Sequence, residues 1–551
     1  MKKRTKALSL LLILSFMLGA LPLGAITPLA AGSDVSTDLI LKENKEMRLW
    51  YDEPASDDDN RVWTHTQAKN SGWETEALNI GNSYLGAKVF GITERERVQI
   101  SEKTLYTSGG TQTSGNTNFT ETYLHFNHDY SGVSDYERDL VLNDATSHVS
   151  YTYGGVTYER EYFTTYPDKV MVIKLTANGS GNLTFTLEPK IPYYVFEGKT
   201  GDVTASDVST DGALSVSTLT LEGHLPGSNK STTEAGYQAG KGTTGFEMDF
   251  EAQYRVFANG GTMTTSYNTA GGTVDEVDEY SNATVTVSGA DSAYIIIALG
   301  TNYELDESIF LESNNSKKLD GFAHPHEKVS AIMEAASLKS YDELRAAHIA
   351  DYTELFSRVA INLTDEVPAI PTDDLMQEYR NGNYNVYVEE LIFAFGRYLL
   401  IASSRSGDLP PNLQGVWNRY HGAVCMNAYW SNVNTQMNFW SAFSTDLAEC
   451  FESYVEFYNA YITANSRNAA NALVRQGVIA SASEVQGTLW SIETGQTAFA
   501  SPSAGGGRDG WGNTPFMAES FWDYFDYTRD SSILSDSTLP ALIASANFLS
   551  L

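Results

Sequence analysis

Apolar and polar positions alternate along the first half of the chain. From about residue 49 to residue 303 the period is two, as in "HVSYTYGGVTYEREYFTTY", where a Gly-Gly pair separates two alternating runs. Strand side chains point alternately to the two faces of a sheet, and Gly-Gly is a preferred hairpin turn. Similar runs follow, such as "NLTFTLEPKI" and "NATVTVSGADSAYIIIAL". The pattern predicts a large antiparallel β-sandwich.

The period changes near residue 320. The run "HEKVSAIMEAASLKSYDELRAAHIADYTELFSRV" carries apolar residues at helical spacing, and the two prolines of "EVPAIPTDD" then break the pattern. Further helical runs follow, namely "VYVEELIFAFGRYLLIASSR", "TQMNFWSAFSTDLAECFESYVEFYNAYITANSRNAANALVRQG", "NTPFMAESFWDYFDYTRD" and "STLPALIASANFLSL", where Pro540 suits the first turn. The last run ends on apolar residues without a capping signal. The sequence therefore predicts a helical linker and an all-helical domain that is cut short.

The first residues have the pattern of an export signal. Basic "MKKRTK" precedes the apolar run "ALSLLLILSFMLGALPLGA" and the small residues of "PLAAG". We expect cleavage near Ala31 or Gly32, so residues 1–31 form a signal peptide and the mature protein is secreted, without a membrane anchor. The net charge of −33 repels nucleic acid and anionic lipid and argues against both as partners.

Metal and phosphate sites leave no clear signature in the sequence. The nine histidines are scattered, and neither a C-x-x-C nor an H-E-x-x-H motif occurs. The glycine-rich "GYQAGKGTTG" lacks the spacing of a phosphate loop. Cys425 and Cys450 are the two cysteines; export permits a disulfide between them, and two buried free thiols are the simpler alternative. We therefore predict no metal and no cofactor.

Neutral amides are concentrated between Trp430 and Trp440, in "WSNVNTQMNFW". An unpaired buried amide costs roughly 1–3 kcal/mol, so each one needs a partner. In an extended segment Asn432 and Asn434 would project to the same side, in a loop that enters the helix predicted for "TQMNFW". Two such amides can orient one water molecule, although a carboxylate must take its proton. The structural alternative is that the pair only joins stretches of backbone.

Aromatic residues lie near this pair in glycine-rich loops. Trp417 ends the run "LPPNLQGVW", Trp430 and Trp440 bound the amides, and Trp511 lies in "GGGRDGWGN". Indole faces stack on the apolar sides of sugar rings, so the loops favour a glycan-binding site. Packing in a hydrophobic core is the alternative for the same residues.

Several separated motifs resemble glycoside hydrolase family 95, the inverting α-L-fucosidases that also include α-L-galactosidases. "LWYDEPAS" and "WETEALNIGNSYLGAKVFGITERERVQISEKTLY" resemble its opening signature, and "LRAAHIADYTELFSRV" resembles its linker helix. "FGRYLLIASSRSGDLPPNLQGVWN" and "NVNTQMNFW" resemble the start of its catalytic barrel. After the signal peptide predicted above (1–31), the resemblance implies a β-sandwich (44–318), a helical linker (319–375) and an incomplete (α/α)6 barrel (376–551).

The resemblance also implies roles for particular residues. Asn432 and Asn434 match the paired asparagines that position the attacking water, and Trp511 matches a tryptophan that lines the sugar pocket. Many members have a histidine where this chain has Trp430, which puts the preferred sugar in doubt, and His421 is a candidate to compensate. Trp417 is a further candidate for sugar binding.

The resemblance leads to a hypothesis for the whole protein. The family's acid glutamate and base aspartate match no segment here, so we expect residues 1–551 alone to be inactive parts of a secreted enzyme that hydrolyses terminal α-L-fucosyl residues. The alternatives are an α-L-galactosidase, a non-catalytic glycan-binding protein, and a phosphorylase with the same layout. The oligomeric state is left open.

Overall fold

The computed structural model of the protein describes residues 45–57, 71–107, 115–226, 246–421, 427–492, 495, 497–499 and 512–551. The predicted signal peptide lies outside these ranges. The chain from Glu46 onward forms one compact unit, so its sandwich and its helices can be described in one frame.

Antiparallel strands build the first half of this unit, as the alternating sequence predicts. Within the described residues they pair into a ten-stranded sheet, a nine-stranded sheet and a two-stranded ribbon. In chain order the strands are Arg48–Tyr51 (β1), Leu78–Gly81 (β2), Leu85–Val89 (β3), Arg95–Glu102 (β4), Tyr106–Thr107 (β5), Gly115–Asn116 (β6), Thr120–His125 (β7), Val133–Val141 (β8), Thr146–Tyr153 (β9), Val156–Thr165 (β10), Val170–Ala177 (β11), Leu183–Pro192 (β12), Thr200–Ala205 (β13), Ser209–Asp211 (β14), Leu214–Leu225 (β15), Met248–Asn259 (β16), Thr262–Tyr267 (β17), Thr273–Val274 (β18), Glu279–Ser281 (β19), Ala283–Ala290 (β20) and Ser292–Thr301 (β21).

The two large sheets stack face to face. The first has the order β1-β8-β9-β10-β11-β21-β16-β15-β13, with β14 beside β15. The second has the order β17-β20-β12-β7-β4-β3-β2, with β19 beside β12 and β18 beside β19. Ile100 and Leu124 from one sheet and Ile173 and Val256 from the other are fully buried in one core. The predicted β-sandwich is confirmed.

The Gly-Gly hairpin is formed as predicted. Strands β9 and β10 pair antiparallel, with Tyr153 opposite Val156 and the two glycines between them. Gly154 and Gly155 have φ values of +60° and +82°. A two-residue turn with both central residues in this region matches the twist of the strands, and glycine adopts it without a steric penalty.

Helices follow the sandwich from residue 307 onward, after one short helix near the start of the described chain. The α-helices are Gly72–Thr75 (α1), Glu307–Leu311 (α2), His326–Ser337 (α3), Tyr341–Phe356 (α4), Thr372–Arg380 (α5), Val386–Ser403 (α6), Asn434–Phe439 (α7), Glu452–Arg475 (α8), Asn513–Thr528 (α9), Ser531–Ile533 (α10) and Leu539–Leu549 (α11). Short 3-10 turns cover Tyr130–Gly132, Asn315–Lys317, Ala448–Phe451 and Ala482–Glu484, and one π turn covers Leu534–Thr538. Pro540 lies in the first turn of α11, as predicted. Among the described helices, none has the length and apolar character needed to cross a bilayer.

The predicted helical linker packs on the sandwich. Val329 and Met333 of α3 and Leu344 of α4 form a buried cluster with Val172 of β11 and Ile296 of β21. This cluster lies on the face of the first sheet opposite the sandwich core, because neighbouring residues of the same strands, such as Ile173, join that core. Burial of this face fixes α3 and α4 against the sandwich.

Candidate active site

The asparagine pair lies between α6 and α8, where a long connection leads from α6 into the short helix α7. Asn432 lies in a turn at residues 431–433, and Asn434 is the first residue of α7. The backbone N–H of Thr435 donates to the carbonyl oxygen of Trp430 at 3.0 Å, and that of Met437 donates to Val433 at 2.9 Å. These bonds close the first turn of α7. Residues 431–433 form a turn rather than an extended segment, and Asn434 begins the helix instead of ending the loop.

Two buried amide oxygens at this turn have no hydrogen-bond donor among the described residues. They are Oδ1 of Asn432 and Oε1 of Gln436. Gln436 is 1% exposed, and its Nε2 donates to the carbonyl oxygen of Ser431 at 2.6 Å. A buried acceptor without a donor costs about 1–3 kcal/mol, so these oxygens suit an O–H group that is not part of the chain, such as water or a sugar hydroxyl.

The three described aromatic or imidazole candidates lie in different environments. Trp430 is partly exposed, and its indole ring is 3.8 Å from the position that a Cβ would take at Gly495. Trp417 is buried, and its Nε1 donates to the carbonyl oxygen of Ile80 in β2 at 2.8 Å. Of these two tryptophans, Trp430 is the one with exposed surface next to the asparagine pair, whereas Trp417 contacts the sandwich.

His421 is also held by the sandwich. Its Nδ1 lies 2.6 Å from Oε1 of Glu197, which follows β12, and the ring packs edge-on against Phe196. Glu197 also pairs with Lys199 at 2.9 Å. Burial opposes ionisation of Glu197, but the charges of Lys199 and His421 lower its pKa to about 2. A charged, fully buried carboxylate therefore fixes His421, and a role of this histidine in sugar recognition stays a prediction.

Two other predictions fall partly or wholly outside the described residues. Trp511 lies outside the described residues, so its place in a sugar pocket stays a prediction. Cys425 also lies outside them, so its pairing with Cys450 is not tested. Cys450 is fully buried, and burial raises the pKa of its thiol to about 12. The described part of the chain contains no cluster of three or more His, Cys, Asp or Glu side chains suited to a metal ion.

Sequence reasoning missed the sandwich surface beneath the site. In β4 the polar residues Arg97, Gln99 and Ser101 alternate with core residues, a pattern that normally faces water, yet all three are buried. Asn418 covers this face: its backbone N–H donates to Oγ of Ser101 at 3.0 Å, and its carbonyl oxygen accepts from Nε2 of Gln99 at 3.2 Å. The connection that carries the site thus lies directly on the second sheet.

Lys103 joins the two parts of the molecule at the same edge. Its Nζ donates to the carbonyl oxygens of Ser403, at the end of α6, and of Leu409. Burial lowers the pKa of this lysine to about 8. Beside it is a cavity of about 190 Å³ at the seam between sandwich and helices, which includes Tyr84, Asp408 and Lys328 in its lining.

Comparisons with known proteins find two family models that match parts of this arrangement. Residues 340–550 match the glycosyl hydrolase family 95 catalytic domain, and residues 49–126 and 120–306 match the N-terminal domain of glycosyl hydrolase family 65. We refer to residues 340–550, which match this catalytic-domain model, as the family 95 domain. Asn432, Asn434 and Trp430 all lie inside this family 95 domain, and the predicted fold class, an antiparallel sandwich followed by a helical linker and the helices of an (α/α)6 barrel, is confirmed.

Curated relatives are similar to this chain over most of its length. The chain is 27% identical over 538 residues to a "Probable alpha-fucosidase A" of Aspergillus niger, an alignment that covers 88% of this chain and 60% of the relative. It is 26% identical to "Alpha-L-fucosidase 2" of Arabidopsis thaliana, covering 86% of this chain and 57% of the relative. The chain therefore spans somewhat more than half the length of these relatives.

A solved structure supports the fold. A candidate kojibiose phosphorylase from the human microbiome superposes with a TM-score of 0.51 and 10% identity, covering 92% of this chain and 60% of that one. At this identity the likeness shows that the sandwich and the family 95 domain share their arrangement with that structure.

Proposed function

We propose that this chain forms part of an inverting α-L-fucosidase-like glycosidase that removes terminal α-L-fucosyl residues from glycans. The observation that carries the proposal is the turn at Asn432 and Asn434, where a buried amide oxygen has no donor among the described residues, inside a family 95 catalytic domain. The α-fucosidase relatives support the choice of sugar.

Inversion needs an acid that protonates the departing oxygen and a base that activates water on the opposite face of the sugar. An amide cannot serve as that base, but Oδ1 of Asn432 can accept one hydrogen of the water and fix its orientation. Asn434, at the start of α7, supplies a second neutral amide. The resemblance to family 95 assigns the acid and the base to segments without a counterpart here, so we expect the chain to bind the sugar without hydrolysing its glycosides.

Sugar binding tests the proposal directly. We expect calorimetric titration of the 551-residue chain to detect L-fucose, and Asn432→Ala to weaken its affinity roughly tenfold, the effect of losing about 1.4 kcal/mol. The matched control is Asn459→Ala, because Asn459 lies in α8 and its Nδ2 donates to Oγ of Ser537 in the π turn Leu534–Thr538. Unchanged affinity in Asn432→Ala, or equal loss in the control, would contradict the assignment.

The same titration, together with assays of hydrolysis and of turnover with phosphate, separates the alternatives. Tighter binding of L-galactose than of L-fucose would favour an α-L-galactosidase, and glycan binding by residues 33–320 alone would favour a non-catalytic binding protein. Hydrolysis of an aryl α-L-fucoside by the chain would show that it already contains an acid and a base. Turnover that requires phosphate would favour a phosphorylase.

Export completes the proposal. We infer from the basic and apolar pattern of residues 1–31 that the protein is secreted after cleavage near Ala31 or Gly32. Mass spectrometry of the protein from the culture medium is expected to show a mature N-terminus at one of these residues. An intact N-terminus on cell-associated protein would contradict this part of the proposal.

A further inference from the structure

The ribbon of β5 and β6 is separate from both large sheets. Tyr106 and Asn116 lie directly opposite each other in this ribbon, and Thr107 lies opposite Gly115. Oγ1 of Thr107 donates to the carbonyl oxygen of Gly115 at 3.2 Å, which adds a side-chain bond to the ribbon. Each strand has only two residues, and all four residues are buried.

Asn116 contacts three asparagines of the family 95 domain. Its Oδ1 accepts from Nδ2 of Asn427 at 2.7 Å and from Nδ2 of Asn412 at 3.5 Å. Its carbonyl oxygen accepts from Nδ2 of Asn418. All four asparagines are buried, so these bonds form without competition from bulk water.

Asn427 is held from two sides by the ribbon. Its side chain donates to Asn116, and its carbonyl oxygen accepts from the hydroxyl of Tyr106 at 3.2 Å. The backbone of Asn427 has φ = +47°, a left-handed conformation that is uncommon outside glycine and is maintained by surrounding contacts. The two residues that pair across the ribbon therefore fix both the side chain and the backbone of one residue.

Asn427 lies five residues before Asn432, and the intervening chain is bonded in turn. The hydroxyl of Tyr429 donates to the carbonyl oxygen of Pro410 at 3.2 Å. On the far side of the asparagine pair, Nδ2 of Asn438 donates to the carbonyl oxygens of Pro411 and Asn412, at 3.3 and 3.4 Å. The hydrogen bonds thus run from the ribbon through residues 410–412 to both ends of the segment that contains the pair.

We propose that the β5–β6 ribbon positions the asparagine pair, with Asn116 and Tyr106 as positioning residues that act through Asn427. The sandwich then has a part in the site at a distance from any sugar, because it sets the conformation of the connection that carries Asn432 and Asn434. The structural part of the proposal stands on the contacts above, and its effect on sugar binding rests on the proposed function.

Hydrogen exchange measures the structural part without any ligand. We expect Asn116→Ala and Tyr106→Phe to speed amide exchange over residues 427–439 roughly tenfold, because each removes a buried bond to Asn427.

The matched control is Asn118→Ala. Asn118 is buried two residues away, but its side chain bonds Gln99 and Glu121 within the sandwich. This variant should lower Tm without a selective effect on residues 427–439. The proposal is overturned if Asn116→Ala leaves exchange over 427–439 unchanged, or if it speeds exchange equally in β10 and β11.

L-Fucose titration of the same variants measures the functional part. We expect Asn116→Ala to weaken binding five- to tenfold, and Asn118→Ala to keep an affinity within twofold of the wild type. Equal affinity in all variants, with selective exchange in Asn116→Ala, would overturn the link to the sugar site. Absence of L-fucose binding by the wild type would count against the proposed function, and the exchange comparison would still decide the role of the ribbon.

Discussion

Glu279 shows how one buried carboxyl group makes the stability of this protein depend on pH. It is 7% exposed, its Oε1 accepts from the hydroxyl of Tyr123 at 3.2 Å, and its Oε2 has no partner among the described residues. Burial and, to a smaller extent, the charge of Glu121 raise its pKa from 4.5 to about 8, against the opposing charge of Arg97. The folded protein therefore keeps this carboxyl group protonated at pH values where the unfolded chain releases the proton.

The direction of the pH effect follows from proton binding. Between pH 4.5 and about 8 the folded state binds more protons at Glu279 than the unfolded state, so the free energy of unfolding falls as the pH rises through this window. Glu279→Gln removes the titrating group, and we expect it to raise Tm relative to the wild type at pH 9 but not at pH 4. Calorimetric scans from pH 4 to 9 measure the difference, with the exposed Glu247→Gln as control. Parallel curves for wild type and Glu279→Gln would contradict the assignment.

At the same scale, the sequence indicated which residues are candidates for the site more readily than it indicated their hydrogen-bond partners. The crowding of Asn432, Asn434 and Gln436 between tryptophans predicted either bonds to backbone or a bound group outside the chain. Two of these side chains have buried oxygens without a partner among the described residues, and what they bind stays a prediction. The partners of Trp417 and His421 could not be predicted, because Ile80 and Glu197 are more than 200 residues away in the sequence. Asn116 gave no signal for the same reason.

At the scale of elements, the sequence pattern predicted those strands and helices whose conformation depends on residues close together in the sequence. The β9–β10 hairpin follows from two glycines and alternation, and α6 follows from its apolar periodicity, because each depends on residues close in sequence. Strand β4 differs: Arg97, Gln99 and Ser101 alternate as on a solvent-facing surface, but the connection through Asn418 covers them. Which polar face is covered depends on the docking of distant elements, and alternation carries no information about that.

The contact between β3 and this connection leads to a prediction on Gly86. A Cβ at this residue would lie 2.5 Å from Cγ1 of Val416 and 2.9 Å from the indole of Trp417, so the helical part would have to shift. We expect Gly86→Ala to lower the free energy of unfolding by about 1–3 kcal/mol, the usual cost of overpacking. Urea unfolding followed by tryptophan fluorescence measures the change.

Gly396 provides the matched control for Gly86. It lies inside α6, and a Cβ there would meet nothing within 4 Å. Gly396→Ala should therefore stabilise the protein by about 0.5–1 kcal/mol, because alanine loses less backbone freedom in a helix. Equal effects of the two substitutions would mean that β3 and Trp417 are not in close contact.

At the scale of the whole molecule, several contacts of different chemistry join the sandwich to the helices. Trp417 donates to β2, Lys103 binds the end of α6, His421 pairs with Glu197, and Asn116 holds three asparagines. All of them engage the connection between α6 and α7, rather than the helices farther along the chain. The geometry of the site is therefore a property of both parts together, although each part has its own secondary-structure pattern.

Charge and exposed apolar surface oppose each other on this molecule. Its net charge of −33 makes copies of the chain repel one another. The helical part also exposes large apolar side chains, with Trp440 59%, Trp522 43%, Tyr527 59% and Ile543 55% exposed. Exposed apolar surface of this kind favours association, and salt weakens the opposing repulsion, because the screening length falls from about 10 Å at 0.1 M to about 3 Å at 1 M.

We therefore expect the 551-residue chain to associate when the salt concentration rises. Sedimentation velocity should show a larger average mass at 1 M than at 0.05 M NaCl. Trp440→Glu and Ile543→Glu should reduce this association, whereas Thr463→Glu, which adds the same charge at an exposed residue of α8, should reduce it less. If mass is independent of salt, or if the three variants behave alike, the apolar residues of the helical part do not drive contacts between copies. A selective effect of the first two variants would locate the contact at the C-terminal end of α7 and on α11, since charge alone cannot distinguish these residues from Thr463.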